Sequence, residues 1–184
     1  MVPAVCAAAL LLTACGGEDG AADVPDGWGT LDTKSLSVGY PESRGYAEQP
    51  ARERGRANAA VALKVEDGVR TGMVSVQLDF ATGVSTAEEA ATAAGAGIGL
   101  GTTRTATTDV RLAGEESAAQ ARRIDYTFTS GGEQHTPPAG TPMAGVLIAG
   151  VDSHGVPFVT RVNAVRGALS KAELDAFAES VTVK

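Results

Sequence analysis

Hydrophobic and polar positions alternate through most of this chain after its first thirty residues, so its pattern is that of strands. Ser35-Leu36-Ser37-Val38-Gly39-Tyr40 alternates cleanly and stops at Pro41, as a half-buried strand should. Pro41 to Arg56 is polar and broken by Pro50, which predicts a surface loop. Two further strands follow, Ala59 to Glu66 and Met73 to Phe80, joined through Glu66-Asp67-Gly68. The Asp-Gly pair signals a tight hairpin, because both residues tolerate the positive φ that a two-residue turn requires. In the second strand Val74, Val76 and Leu78 alternate with Ser75, Gln77 and Asp79, which leaves one face wet.

The period changes at Ser85-Thr86-Ala87-Glu88, a capping box that opens a helix from about Thr86 to Ala94 in an Ala-rich stretch. Gly95, Gly97, Gly99 and Gly101 then end it, each costing about 1 kcal/mol relative to Ala inside a helix. Strand patterning resumes over Thr105 to Leu112 and Ala119 to Thr129, separated by Gly114-Glu115-Glu116. In the longer of these, Arg123, Asp125 and Thr127 oppose Ile124, Tyr126 and Phe128 across the pleat. A Gly/Pro-rich loop from Ser130 to Pro142 leads to a third pair, Met143 to Val151 and Val156 to Val165, turned at Asp152-Ser153-His154-Gly155. Ser170-Lys171-Ala172-Glu173 is a second capping box, followed by the apolar stripe Leu174, Phe177 and Ala178. Ser180 to Val183 forms a last strand.

The first fifteen residues follow a different rule. An apolar run from Val5 to Leu12 ends in Leu12-Thr13-Ala14-Cys15 and gives way to Gly16-Gly17-Glu18-Asp19. The run falls short of the roughly 20 residues that a bilayer crossing requires, so a spanning helix is not expected. The pattern resembles a bacterial lipoprotein signal with its lipobox. That resemblance implies removal of residues 1–14 and lipidation of Cys15 as a diacylglyceryl-modified first residue, durable because two or more acyl chains share the anchor. No Lys or Arg precedes Lys34, which leads us to expect that the true start lies upstream of Met1. From Cys15 to Thr30 the chain reads as a flexible tether with a reach on the order of 20 Å. Trp28 is expected to be the first apolar plug of the fold.

About 170 residues remain beyond the leader, enough for one domain, placed at 31–184. Net charge is −7 and the isoelectric point about 4.8, which excludes the basic face expected of a nucleic-acid binder. Cys6 and Cys15 are the only cysteines, so with one removed and one lipidated no thiol is left for a disulfide or a zinc cluster. Arg supplies eleven of the fifteen basic residues, and Ala and Gly abound, a bias that fits a high-GC, actinobacterial origin.

Strand, hairpin, helix, two hairpins, helix and terminal strand, closing in Leu169-Ser170-Lys171-Ala172-Glu173-Leu174 and Glu179-Ser180-Val181-Thr182-Val183, resemble the PsbP-like fold and its LpqN-type actinobacterial lipoproteins. The resemblance implies an α+β αβα sandwich, with a central antiparallel sheet of about six to eight strands flanked by two main helices. It also implies a binding or assembly role, since an extrinsic photosystem subunit and a nuclear transport factor share that fold. No functional residue is carried over from it.

Candidate chemistry is sparse. The glycines from Gly95 to Gly101 end a helix, whereas a phosphate cradle needs them before one. His135 and His154 sit in turn-rich loops without metal-ligand spacing. Asp152-Ser153-His154 holds the residue types of a hydrolase triad, but contiguous side chains cannot form the relay. Glu88/Glu89 and Glu115/Glu116 are sequence neighbours that diverge, unlike a glycosidase pair. Arg52, Arg54 and Arg56 can project together from an extended loop and contact an anion or a lipid head.

The expectation is a lipid-anchored protein on the outer face of the cell membrane. Its domain acts without catalysis, cofactor or metal, binding a partner protein or a lipid or glycolipid in a groove between helix and sheet. The rival expectations are an envelope hydrolase using His154 or His135, and a purely structural assembly factor.

Overall fold

The computed structural model describes residues 22–99, 101–114 and 120–184. Leu12 to Cys15, with the lipidation site, and Glu115-Glu116 lie outside the described residues. In chain order the elements are β1 (Gly29–Asp32), β2 (Leu36–Tyr40), β3 (Tyr46–Glu48), β4 (Ala60–Glu66) and β5 (Val69–Leu78). Then come α1 (Ala87–Ala96), β6 (Thr103–Arg111), β7 (Ala113–Gly114), β8 (Gln120–Thr129), β9 (Pro142–Val151), β10 (Pro157–Val165), α2 (Lys171–Glu179) and β11 (Thr182–Val183).

The larger sheet has seven strands in the order β3-β4-β5-β10-β9-β8-β6, and every pairing in it is antiparallel. Its strand count lies within the six to eight expected. The β4–β5 hairpin turns through Asp67 and Gly68 at φ 51° and 78°, the left-handed values a two-residue primed turn demands. A second sheet of four short strands, β1-β2-β11-β7, was not anticipated. Its strands β2 and β11 are the two that the sequence pattern marks, whereas β1 and β7, four and two residues long, are too short for alternation to register.

Helix starts follow their caps. Ser170 and Glu173 close the box that opens α2, as read from the sequence. At α1 the box is Thr86 with Glu89, one residue later than expected, because Ser85 sits outside it and adds its own amide and hydroxyl to the Glu89 carboxylate. The stretch read as a loop from Pro41 to Arg56 contains β3, an edge strand whose Tyr46 is buried over Gly72.

Alternation along each strand divides the seven-stranded sheet into two faces. On one, Ala60, Ala62, Val74, Val76, Val146, Ile148, Phe158 and Val162 meet Leu31, Leu36 and Val38 of the small sheet and Phe177 and Ala178 of α2. On the other, Ile124, Tyr126, Leu147, Ala149 and Val159 meet α1 through Ala90, Ala91 and Ala94, with Phe80, Val84, Ile98 and Phe128 packed against them. The fold is therefore mixed α+β, but its layers are not a helix, a sheet and a helix. One face carries a second sheet plus α2, and the other is covered in part by a helix of ten residues.

Trp28 packs against the first of these cores, as a plug should. Ala22 already donates its amide to the Thr182 hydroxyl at 2.9 Å, so residues from Ala22 onward lie against the domain within the stretch read as tether.

Candidate functional site

On the α1 face, the strand ends beyond the helix form a shallow groove of about 330 Å³. Its floor is Phe128 of β8, Met143 of β9, Asn163 of β10, Met73 of β5 and Leu63 of β4. Register places these residues side by side, with Met143 opposite Phe128, Asn163 opposite Met73, and Met73 opposite Leu63. The volume is at the lower end of what small-molecule sites occupy, and an apolar floor with a few polar groups at its edge is their usual make-up.

The far wall is the Gly/Pro-rich loop between β8 and β9, contributing Ser130, Gly131, Glu133, Thr136 and Pro137. Its own bonds give it shape. Buried Ser130 donates its hydroxyl to the Pro137 carbonyl at 2.6 Å, and the Ser130 amide donates to the Thr141 carbonyl at 2.9 Å. The loop is also tied to the β4–β5 hairpin, since the Arg70 amide donates to the His135 carbonyl at 2.8 Å. His135 adopts φ 62° to present that carbonyl, and its ring nitrogen lies 3.3 Å from the Gly68 carbonyl. This histidine acts as a pin between loop and hairpin.

Beside the floor, in the core under α1, Tyr126 lies over Gly145 and donates its hydroxyl to the side-chain oxygen of Asn163. A side chain at position 145 would occupy the space of the Tyr126 ring, so glycine is required there by close approach. Burial pushes the Tyr126 phenol up to about 12, and nearby Arg161 works against that rise. The phenol is therefore a neutral donor at physiological pH. With its oxygen engaged by Tyr126, Asn163 keeps its amide nitrogen for another partner.

A second cleft of about 540 Å³ lies between the start of α1 and strands β6 and β8. It is lined by Thr86, Glu88, Asp109, Arg111 and Arg122, with Arg122 bonded to Asp109 at 2.9 Å. This is the space between helix and sheet where a ligand groove was expected, and it is charged. The alanines of α1 let the helix close onto the sheet, so the apolar groove opens beside the helix, under the loop.

The arginine cluster read from the sequence is divided by the structure. Arg54 turns onto its own loop, donating to the Gln49 carbonyl at 2.7 Å, the Ala59 carbonyl at 2.5 Å and the Glu48 carboxylate at 2.8 Å. Arg52 is exposed and pairs with Glu53 at 3.2 Å, and Arg56 is exposed. An anion at this loop would meet Arg52 and Arg56, with Arg54 engaged as a staple.

His154 is exposed, its ring nitrogen 3.1 Å from the Ser153 hydroxyl, while Asp152 accepts the His154 and Val156 amides at 2.9 and 2.8 Å. Asp152 thus shapes a turn and does not orient the imidazole. Among the described residues no three His, Cys, Asp or Glu side chains gather as metal ligands. No described helix is long and apolar enough to cross a membrane. The groove itself was not anticipated, because its floor joins five strands whose proximity only the register reveals. The length and composition of the Ser130 to Pro142 loop were the one local signal.

No protein-family model and no curated protein matches the sequence. Among solved structures, the chain is similar to a protein of Bacteroides thetaiotaomicron VPI-5482 at 16% identity and TM-score 0.47, over 91% of this chain; it spans about half (49%) of that structure's length. It is also similar to the Saccharomyces cerevisiae Ran-binding protein Mog1p, at 12% identity and TM-score 0.47 over 83% of each chain. A third likeness is to LpqN, described as involved in cell envelope biogenesis of Mycobacterium tuberculosis, at 16% identity and TM-score 0.43, covering 91% of this chain and 87% of that one.

Proposed function

We propose that this chain is a lipoprotein held through Cys15 at the outer face of the cell membrane, and that its domain works by binding an apolar or amphiphilic ligand. The observation that carries the binding half is the groove under the Ser130 to Pro142 loop, where Phe128, Met143, Met73 and Leu63 form an apolar floor open to solvent. Two methionines suit that use, because their unbranched thioethers adapt to ligands of differing shape. The anchoring half rests on the Leu12-Thr13-Ala14-Cys15 pattern.

Binding requires no reacting group, and the groove supplies none beyond the Asn163 amide, the Ser130 and Thr136 hydroxyls and the charges of Arg70 and Glu133. Anchoring would confine the domain to a thin layer beside the bilayer and raise the effective concentration of membrane-associated ligands. A protein partner seated on the same apolar floor is the competing occupant.

Both halves are testable. Cys15→Ser should move the protein from the membrane fraction to the soluble fraction, and unchanged retention would refute the anchor. An apolar fluorescent probe such as N-phenylnaphthylamine should brighten with the wild-type protein and much less with Phe128→Ser. Equal brightening would refute the groove.

A further inference from the structure

The two outer edges of the seven-stranded sheet differ. At one end β3 is three residues long, and at the other β6 runs for nine, Thr103–Arg111. Along one side β6 pairs with β8, and no described strand pairs with its other side. Every residue in it except Val110 is exposed. A long strand with a free row of amides and carbonyls is a template for another strand, and proteins usually shorten or cover such an edge, as this one does at β3.

The side chains of β6 select the strand that can join it. Its register sets Arg104 opposite Tyr126, Thr107 opposite Ile124 and Asp109 opposite Arg122, so these three side chains share the α1 face. Thr105 is the extra residue of a bulge, since Arg104 and Ala106 stand opposite consecutive residues of β8. Counted in register, Arg104 and Asp109 therefore lie two places from Thr107 on either side of it, and they carry opposite charges. The Arg104 guanidinium lies over Gly95 of α1 and makes no ion pair with any described residue. Asp109 accepts from Arg122, yet its carboxylate is 82% exposed.

We propose that β6 pairs antiparallel with β6 of a second copy of this chain about a two-fold axis at Thr107, joining the two seven-stranded sheets edge to edge. Such an axis sets each position before the centre against the one equally far beyond it in the other copy. Thr107 then meets Thr107, and Arg104 of each copy meets Asp109 of the other, forming two ion pairs on the α1 face. A carboxylate accepts from two guanidinium groups, so the Arg122 contact is kept. Main-chain hydrogen bonds hold this interface, and the mirrored charges fix its register and favour a second copy over other strands.

The test is cross-linking of the full chain in intact cells with a short bismaleimide, through Thr107→Cys at the centre of the pairing or Ala47→Cys on β3. Thr107→Cys should give a product of twice the chain's mass, at least about tenfold more than Ala47→Cys or the unaltered chain gives. In the Thr107→Cys background, Arg104→Asp and Asp109→Arg should each lower that product about tenfold, because each sets like charges against one another at both ion pairs. Cells making both variants, differently tagged, should regain the product as a mixed pair only, since the altered side chains then meet as opposite charges. That recovery also shows that both variants are folded. No product from Thr107→Cys, as much from Ala47→Cys, or a loss that the mixture does not restore would overturn the proposal. A product joining Thr107→Cys to a different protein would overturn the second copy in favour of a strand from that partner.

Discussion

The two faces of the seven-stranded sheet are built to different specifications. One is sealed beneath a second sheet and α2, and Phe158, Phe177, Leu31, Leu36 and Val38 there have 1% exposure or less. The other receives one helix faced with alanine, which covers the middle of the sheet and leaves Phe128, Met73 and Leu63 half-buried at the strand ends. The sealed face holds the fold together, and the open face is left available. Ion pairing repeats the contrast. Arg123 fastens α2 to the sealed face through Asp125 at 2.7 Å and Asp175 at 2.8 Å. Burial works against its charge, and the two carboxylates more than offset that, so its pKa goes up. Arg161, on the open face, pairs with no carboxylate among the described residues, and its Nε is buried without a partner there.

The sharpest way to break the comparison is to cut one aromatic from each face. Phe158→Ala should cost about 3–5 kcal/mol in denaturant unfolding, since the ring is fully enclosed. Phe128→Ala should cost about 1 kcal/mol while weakening probe binding. If the two costs were equal, the groove would be ordinary core.

Gly145→Val tests the boundary between covered and open surface. Its side chain would strike the Tyr126 ring and Asn163, so we expect a loss of about 1–3 kcal/mol from overpacking together with impaired groove binding. Stability lost with binding intact would separate this row from the site.

On the sealed side, α2 depends on ionised carboxyls. Hydrogen bonds from Ser170 and the Arg44 guanidinium hold the Glu173 carboxyl below its usual range, and Lys171 and Arg123 do the same for Asp175. A carboxyl depressed in the folded state adds stability above its unfolded pKa, near 4, and that stability is lost as pH falls through the folded value. Glu173→Gln should therefore cost about 1 kcal/mol at pH 7 and much less at pH 3, where the wild-type group has taken up its proton. Urea unfolding at both pH values checks this, and an equal cost at both would contradict it.

The smallest effects belong to the polar loop before β4. Arg52→Ala and Arg56→Ala should each change stability by under about 0.5 kcal/mol, whereas Arg54→Ala should cost about 1–2 kcal/mol by freeing its three acceptors. Three equal, negligible effects would show that the staple carries no weight.

Long elements were legible because their signals are local. The Asp67-Gly68 hairpin, the Ser170 capping box and the β8 alternation each need only a few neighbouring residues to read. β2 and the terminal strand β11 were legible one by one, but the small sheet they share was hidden because β1 and β7 are too short for periodicity and the pairing joins strands far apart in the chain, as where Thr182 pairs with both Ser37 and Ala113. Tyr46 was missed because one buried aromatic within a polar, Pro-broken stretch gives no pattern. The groove and Arg161 were invisible for the same reason as the small sheet. The environment of the groove is made by register across five strands, and nothing near position 161 in the sequence marks that arginine as lacking a carboxylate among the described residues.

The central claim is that the incompletely covered face exists to hold a ligand. Native mass spectrometry of the protein extracted from its own membranes tests it most directly, comparing wild type with Phe128→Ser. The account predicts a lipid-sized mass carried by the wild type and absent from the folded variant. A bare wild-type mass, or the same adduct on both proteins, would contradict it.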